Sequence, residues 1–414
     1  MRGRLLTVAL VVVSSPAWAQ NSLSLEGPGF EATGPSADLY GFVMADAGYN
    51  SGRIDPDWFD VVRPSKLPSG ANEFGEDGRT WFSVRQTRFG IKAWQPTANH
   101  DIRGIFEFEL FGTGVDAGQT TFRLRHAYLQ YGKFGAGQYW SAFMDIDIFP
   151  DSVEYWGPNG MVFFRNRQVR YMPVMGKNHH VTISLEEPGA SGDAGEYNEF
   201  LASRNGLSAR FPVPDLAANY RYSDDWGYVQ AAAILRRIQW DDTTDDAIDV
   251  SGSETGWGIN LTTNVKFGPG TLKGGIVYGE GIENYFNDGG PDIAVLPNPI
   301  DPNDPSLPPG GALTVPVVGL SLFYDVVWNE RFSSTFGFSS QDMDLDGSAS
   351  LPATFENGQY ALANLTYYPV KQLMTAVELQ YGRRENFSDG WDYDAWRVQF
   401  TAKYRFSFKI GDRP

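Results

Sequence analysis

Basic and acidic side chains recur at even spacings in three consecutive stretches of this sequence. The members are Arg88 and Lys92, then Arg103, Glu107 and Glu109, then Arg123 and Arg125. Successive side chains of a β-strand point to opposite faces, so each set shares one face if its stretch is extended. Apolar residues such as Phe106 and Phe122 occupy the opposite face. Guanidinium groups pair with carboxylates in a bidentate manner, which makes this face suited to anionic groups.

Two roles remain open for these charged side chains. They either contact a solute directly or pair with Glu107, Glu109 and nearby loop acids to hold a loop in place. Arg165, Arg167 and Arg170 extend the set, but their parity conflicts. One of them therefore faces elsewhere, or a bulge intervenes.

A long acidic segment, residues 141–164, lies between Arg125 and Arg165 in the sequence. It contains Asp145, Asp147, Asp151 and Glu154. Considered by itself, this segment is predicted to be an outer loop that touches a neighbouring subunit.

The same residues give little support to catalysis. Glu107 and Glu109 lie on one face of one strand, so they do not flank a substrate as a glycosidase pair does. The chain has four histidines and no cysteine, and no Ser/His/Asp pattern supplies an activated nucleophile. We therefore expect no enzyme and no cofactor, although an enzyme built on a barrel is kept as an alternative.

One motif resembles a metal site. Asp342, Asp344 and Asp346 precede Gly347, as in the start of a calcium-binding loop. The twelfth position is Ala353 instead of glutamate, and the segment follows a strand. A solvated rim is favoured over a loose divalent-cation site.

The elements that must position these groups are predicted by alternation along the chain. From Trp396 to Phe408 every even position is apolar, while odd positions from Arg397 to Ser407 are polar. Such a strand has lipid on one side and water on the other, and in lipid only a closed barrel pairs all its backbone groups. Short turns alternate with long loops and predict about sixteen strands around an aqueous lumen. The fold class is an all-β transmembrane antiparallel barrel.

The N-terminus has the features of a secretory signal. Arg2 and Arg4 precede the apolar run 5–13, and small residues at 17 and 19 mark cleavage before Gln20. The expected organisation is a signal peptide at 1–19, a short periplasmic segment at 20–37, a barrel at 38–408 and a tail at 409–414. The expected location is the outer membrane of a Gram-negative bacterium.

Charge is distributed unevenly along the chain. The formal net charge is −17. Residues 241–254, 287–313 and 341–357 carry fourteen Asp and Glu and no Lys or Arg. Residues 79–170 instead carry eleven Lys and Arg against eight acids, and this basic block contains the charged faces described above. A pore lined by this block is predicted to favour anions, and a non-selective or cation-preferring porin is the alternative.

Several stretches resemble the DcaP-like porin family. They are LYGFVMAD at 39–46, VRQTRFGIK at 84–92, RLRHAYLQY at 123–131, GQYWSAFMD at 137–145 and NRQVRY at 166–171. The resemblance implies a trimeric, sixteen-stranded channel for passive uptake of small, mostly anionic solutes such as dicarboxylates. It also implies that the 141–164 segment folds inward as a constriction loop. The partners implied are such solutes and outer-membrane lipid and lipopolysaccharide, with no nucleic acid.

Overall fold

The computed structural model describes residues 34–189, 207–243, 251–296, 311–345 and 352–411. Nearly all regular structure in these residues is β-strand, in twenty strands along the chain. They are β1 (Ser36–Asn50), β2 (Arg79–Ser83), β3 (Arg88–Gln95), β4 (Ile102–Phe111), β5 (Thr120–Tyr131), β6 (Phe134–Trp140), β7 (Arg165–Met175), β8 (His179–Glu186), β9 (Leu207–Arg210), β10 (Asp215–Asp224), β11 (Gly227–Asp242), β12 (Gly252–Phe267), β13 (Gly270–Glu280), β14 (Ile293–Leu296), β15 (Gly311–Thr314), β16 (Pro316–Val327), β17 (Phe332–Met343), β18 (Phe355–Val370), β19 (Leu373–Asn386) and β20 (Asp392–Gly411).

The strands close into one antiparallel barrel. Each pairs with its neighbours in sequence, and β1 pairs with β20 from Ser36 opposite Gly411 to Asn50 opposite Arg397. β2 and β3 both pair with β1, so they are two halves of one spanning strand. β9 and β10 likewise share β11 as a neighbour. The eighteen strands of the main sheet therefore form sixteen spanning strands, which confirms the predicted fold class.

Each of the two interruptions, between β2 and β3 and between β9 and β10, has a local cause. Between β2 and β3, the Thr87 hydroxyl accepts a hydrogen bond from the backbone N–H of Met44 at 3.2 Å, in place of a ladder bond. Between β9 and β10 lie Pro212 and Pro214, which have no N–H to donate to a sheet.

The ends of the barrel differ from the expected bounds by two or three residues. β1 begins at Ser36 and β20 ends at Gly411, because Asp38 pairs with Lys409 and the ladder continues beyond it. The predicted signal peptide lies outside the described residues, as do 20–33 and 412–414.

Short turns join the strands at one end and long loops join them at the other. The β5–β6 and β12–β13 turns contain Gly132 and Gly268, both in the left-handed region with φ of 55° and 57°. Only glycine adopts this backbone conformation readily, which explains the residue type there. β14 and β15 form a separate hairpin within the loop that follows β13.

The two faces of the barrel wall have opposite polarity. Phe106 and Phe122 are 50% and 74% exposed. Glu107 and Glu109, which point to the opposite face of the wall, are fully buried. The outward face carries stacked and tilted aromatic rings across β20, β3, β4 and β5, including Phe406, Phe89 and Phe108. An apolar outer band of this kind is what a membrane barrel presents to lipid. Among the described residues, no helix is both long enough and apolar enough to cross a membrane.

Candidate functional site

Five of the predicted charged residues meet on the polar face of β3, β4 and β5. Arg88 and Arg123 lie directly opposite Glu109 in the strand register. Arg88 Nη2 and Arg123 Nη2 are 3.0 and 2.9 Å from the Glu109 carboxylate. Arg125 bridges both acids, at 2.7 Å from Glu107 and 2.8 Å from Glu109. We call these five residues the arginine–glutamate cluster.

The arginine–glutamate cluster is almost closed to solvent. Glu107 and Glu109 are fully buried, and Arg88 and Arg125 are each 3% exposed. Buried charges are tolerated only when they are paired and hydrogen-bonded, and each carboxylate here has at least one charged partner. The geometry therefore favours the bracing role over direct solute contact for these arginines.

The other predicted cations lie around or away from the cluster. The guanidinium group of Arg165 lies 5.0 Å from the Trp140 ring, close enough to Arg125 and Glu109 to interact electrostatically. Arg170 lies on the same face as the buried Asn166 and Gln168, and it donates to the Gln168 side chain at 2.7 Å.

Three predicted residues do not join the cluster. Lys92 lies over the Tyr40 ring at 5.4 Å. Arg103 faces Asp101 at 3.7 Å near the short-turn end of β4. Arg167 pairs with Glu187, and its side chain is 69% exposed, so it points away from Arg170 as alternation requires. Arg165, the first residue of β7, departs from alternation and contacts Trp140 instead.

The acids of the 141–164 loop do not face the cluster. Asp145 accepts from Arg221 at 2.7 Å and from Tyr228 at 2.9 Å, on β10 and β11. Asp147 also pairs with Arg221, at 2.5 Å. Asp151 lies 3.6 Å from Lys273 of β13. Arg221 and Lys273 thus pair with these three acids from the far wall, and Lys273 also pairs with Asp325 at 2.6 Å. Sequence reasoning had identified neither residue.

Glu154 is held by backbone instead of by a cation. Its carboxylate accepts from the N–H of Val62 at 3.0 Å, from the N–H of Gly157, and from the Tyr360 hydroxyl at 3.3 Å. Burial raises the pKa of Glu154 from 4.5 to about 7. Burial, with Asp325 nearby, raises the pKa of Asp151 to about 6.

Tyr155 connects the loop to the arginine–glutamate cluster. Its hydroxyl donates to Glu109 and accepts from Arg123 at 2.6 Å and Arg125 at 3.1 Å. Its ring stacks on Phe111 with centroids 3.9 Å apart and an angle of 8°. The sequence placed Tyr155 in the loop but gave no sign of this role, because the contact joins residues 46 positions apart.

Successive residues of the 141–164 loop contact successive strands of the wall. Ala142 donates to Glu186 of β8, and the carbonyl of Phe143 accepts from Asn260 of β12. Further on, the carbonyls of Phe149 and Asp151 accept from Lys273 of β13 and Asn364 of β18. Val153 then donates to Glu378 of β19. The loop therefore follows the polar face of the wall from β8 to β19 before Tyr155 reaches β4 and β5.

Two other long loops pack on this one. Asn287, in the loop after β13, exchanges hydrogen bonds with Trp156, at 2.5 and 2.6 Å. Asp288 pairs with Arg63 of the first loop at 2.9 Å, and Asp292 pairs with Arg236 at 3.0 Å. These two acids belong to the acidic stretch 287–313, yet both are buried in ion pairs.

The predicted metal motif lies at the edge of the described residues. Asp342 accepts from the Asn357 side chain at 2.9 Å, and Asp346 lies outside the described residues. Among described residues, no group of three His, Cys, Asp or Glu side chains is arranged to hold a metal ion.

A closed barrel of sixteen strands, apolar outside and charged inside, defines the class of outer-membrane β-barrel channels. Residues 71–277 match the family described as DcaP outer membrane protein. This match spans half of the chain, so the protein belongs to the DcaP outer membrane protein family, as the motifs predicted. It is accordingly an outer-membrane channel protein of a Gram-negative bacterium.

Solved structures share the fold. The outer membrane channel DcaP of Acinetobacter baumannii is 26% identical over 91% of this chain and 99% of that chain, with a TM-score of 0.73. The trimer form of OmpT of Vibrio cholerae is 13% identical over 90% and 100% of the two chains, with a TM-score of 0.55. An anion-selective porin from Comamonas acidovorans is 10% identical over 90% and 100%, with a TM-score of 0.56. Comparison with curated proteins gave no match.

Proposed function

We propose that this porin carries small hydrophilic solutes by passive diffusion and favours small anions such as dicarboxylates. One observation carries the preference for anions. Six arginines and one lysine lie on or beside the polar face of β3–β7 with two glutamates; they are Arg88, Lys92, Arg103, Arg123, Arg125, Arg165 and Arg170 against Glu107 and Glu109. A low-dielectric wall with surplus positive charge raises the local concentration of anions.

The 141–164 loop supports this proposal as the constriction. Its hydrogen bonds to β8, β12, β13, β18 and β19 require a path across the interior side of the wall. Arg221 pairs with both Asp145 and Asp147, so one positive charge compensates two acids there and they offset only part of the arginine surplus on the other side. The pore is then narrowed by the loop and bordered by β3–β7.

We also propose a homotrimer embedded in lipid and lipopolysaccharide. A trimer form is known for the OmpT neighbour, which shares the fold, and family resemblance points the same way. The exposed apolar outer face, with Phe106 and Phe122, suits contact with lipid.

One observation favours the alternative of a cation-preferring pore. The side chains of Asp147 and Asp151 remain 36% and 38% exposed on the loop. If these acids border the narrowest point more closely than the arginines, cations would pass more readily.

The two alternatives differ in the sign of a reversal potential. Purified trimers in a planar bilayer under a KCl gradient should show anion preference. Arg170→Gln should reduce that preference, because it removes one cation from the polar face of β7. Arg167→Gln is the matched control, since it removes the same charge from the exposed side of the same strand. A cation-preferring reversal potential in the unmodified pore would contradict the proposal.

A further inference from the structure

Three arginines lie on the outward face of neighbouring strands near the long-loop end of the barrel. Arg167 is on β7, Arg210 on β9 and Arg237 on β11. The side chains of Arg167 and Arg210 are 69% and 53% exposed, and Arg237 is exposed as well. In contrast to the arginine–glutamate cluster, these groups are open to the surroundings of the barrel. We call the three residues the outer arginine row.

The strand register places two members of the row at one level. Glu186 of β8 lies opposite both Gln168 of β7 and Asp215 of β10. The register of β10 with β11 then puts Arg237 just beyond Asp215, on the side of the long loops. Arg167 lies just beyond Gln168 in the same direction, so the two arginines share a level across four strands.

Arg210 and Arg237 are diagonal neighbours on adjacent strands. Arg210 lies opposite Gln239, which is two residues beyond Arg237 on the same face of β11. Cα atoms of such diagonal pairs are about 7–8 Å apart, a distance that two long side chains span. Both guanidinium groups can therefore contact one phosphate.

The row lies at the outer edge of the apolar band. Arg237 follows Gly227, the first residue of β11, by ten positions. At about 3.3 Å per residue and a tilt of about 40°, Arg237 lies about 25 Å above the short turns, which is the height of the apolar band of an outer-membrane barrel. Leu235 is 52% exposed just below it, and opposite Leu235 lies Trp257, whose ring meets that of Tyr278 edge-on at 5.7 Å. Aromatic girdles mark the membrane interface, so the row reaches the headgroups of the outer leaflet.

The arginines of the row are not held in buried ion pairs. Arg210 pairs with Asp241 at 2.8 Å, but the two side chains are 53% and 40% exposed. Arg237 donates to the Thr255 hydroxyl at 3.0 Å, and among the residues that the structure describes no carboxylate pairs with it. Exposed pairs contribute little to stability, so a phosphate can replace these partners at small cost.

The outward face on the other side of the barrel is acidic at the same end. On β17, β19 and β20 it presents Asp342, Glu385, Asp392 and Asp394 together with Arg383. The guanidinium group of Arg383 lies 2.7 Å from Glu385 and 3.4 Å from Asp392. Like charges repel a phosphate there, so charge complementarity favours the outer arginine row.

We propose that the outer arginine row binds a phosphate group of lipopolysaccharide, in its lipid A part. Arg210 and Arg237 hold the phosphate, because guanidinium groups pair with phosphate in a bidentate manner. The acyl chains lie on the exposed apolar side chains directly below, which include Leu185, Leu216 and Leu235. The inference rests on the proposed embedding in lipopolysaccharide and assigns its contact to β7–β11.

The test is titration of purified, lipopolysaccharide-free protein with bisphosphorylated lipid A, with bound lipid counted by native mass spectrometry. The double variant Arg210→Gln/Arg237→Gln should bind lipid A about tenfold more weakly, because it loses charged hydrogen bonds to the phosphate. Arg383→Gln is the matched control, since it removes the same group from the acidic side of the same rim, and its affinity should stay within about twofold. Dephosphorylated lipid A should bind the unmodified protein as weakly as lipid A binds the double variant.

A second measurement uses the unmodified protein and does not depend on folding of a variant. Phenylglyoxal modifies accessible arginines, and peptide mass spectrometry reports the extent at each position. Lipid A should protect Arg210 and Arg237 several-fold and leave Arg383 as reactive as before. A large excess of inorganic phosphate should neither protect the two arginines nor displace lipid A, because it has no acyl chains to place on the apolar band.

The outcomes separate the inference from the proposals on which it rests. Lipid A binding that is tight but unchanged in the folded double variant, or displaced by inorganic phosphate, overturns the inference and leaves the embedding in lipopolysaccharide intact. Unmodified protein that binds lipid A no better than phosphatidylcholine would defeat the embedding and the inference together. The reversal potential of the double variant should equal that of the unmodified pore, because both arginines lie on the outer side of the wall.

Discussion

Residues of one type have different environments in this barrel, and the environment determines their role. Arg125 and Arg103 both lie on wall strands. Arg125 bridges two fully buried carboxylates, whereas Arg103 meets a half-exposed Asp101. Breaking a buried pair leaves an uncompensated charge, while an exposed pair contributes little.

Arg125→Met should therefore lower the free energy of unfolding by about 3–5 kcal/mol. Arg103→Met removes the same group from the neighbouring strand and should cost at most about 1 kcal/mol. Urea unfolding of both variants in lipid vesicles provides the measurement. Equal, small effects of the two substitutions would show that the arginine–glutamate cluster does not brace the wall.

Glu154 makes stability depend on pH. Its pKa rises from 4.5 in the unfolded chain to about 7 in the folded protein because of burial. Between these values the folded state holds a proton that the unfolded state has lost, so stability falls as pH rises through this window and is constant below it. Tyr360, Glu378 and Arg397 are the ionisable groups that face it.

The unfolding free energy should drop by about 3 kcal/mol between pH 4.5 and 7 through this group. Glu154→Gln mimics the protonated form and should flatten that part of the profile. Glu330→Gln, in the exposed β16–β17 turn, should leave the profile unchanged. Urea unfolding across pH 4–8 tests this, and an identical slope in Glu154→Gln would refute the assignment.

At the scale of elements, the 141–164 loop depends for its position on hydrogen bonds to the wall strands. Tyr155 is its contact with β4 and β5. Tyr155→Phe keeps the stacking on Phe111 and removes only the hydroxyl, so the loop should lose its polar contact at that point.

Tyr155→Phe should increase current fluctuations of the open pore and cost about 1–3 kcal/mol, because Glu109 loses a buried donor. Tyr49→Phe, on the outer side of β1, removes a hydroxyl from an exposed ring and serves as the control. Recordings in which Tyr155→Phe is as quiet as the unmodified pore would mean that the remaining loop contacts hold it without this hydroxyl.

The strands were predictable from sequence because alternation is a local property. Phe106 outside and Glu107 inside follow from the two-residue period alone. The path of the loop was not predictable, because its partners are distant in sequence: Arg221 meets Asp145 across 76 positions, and Val153 meets Glu378 across 225.

At the scale of the whole molecule, the two ends of the barrel carry different charge. The loops after β11, β13 and β17 lie at the long-loop end, within stretches that contain fourteen acids and no Lys or Arg. Among the described acids of these stretches, Asp241, Asp288 and Asp292 pair with Arg210, Arg63 and Arg236. The seven short turns at the other end carry four Lys and Arg against three acids, so that end is nearly neutral.

This asymmetry predicts that a divalent anion enters more slowly from the long-loop end at low salt. The Debye length is about 30 Å at 0.01 M and about 3 Å at 1 M, so the outer acids repel an approaching dicarboxylate only in dilute salt. Succinate added to each side in turn should block with similar on-rates in 1 M KCl. In about 0.01 M KCl the on-rate from the short-turn side should exceed the other several-fold. Glucose block should be symmetric at both salts because glucose is uncharged. A side-to-side ratio that does not change with salt would mean that these acids lie too far from the entrance to act on solutes.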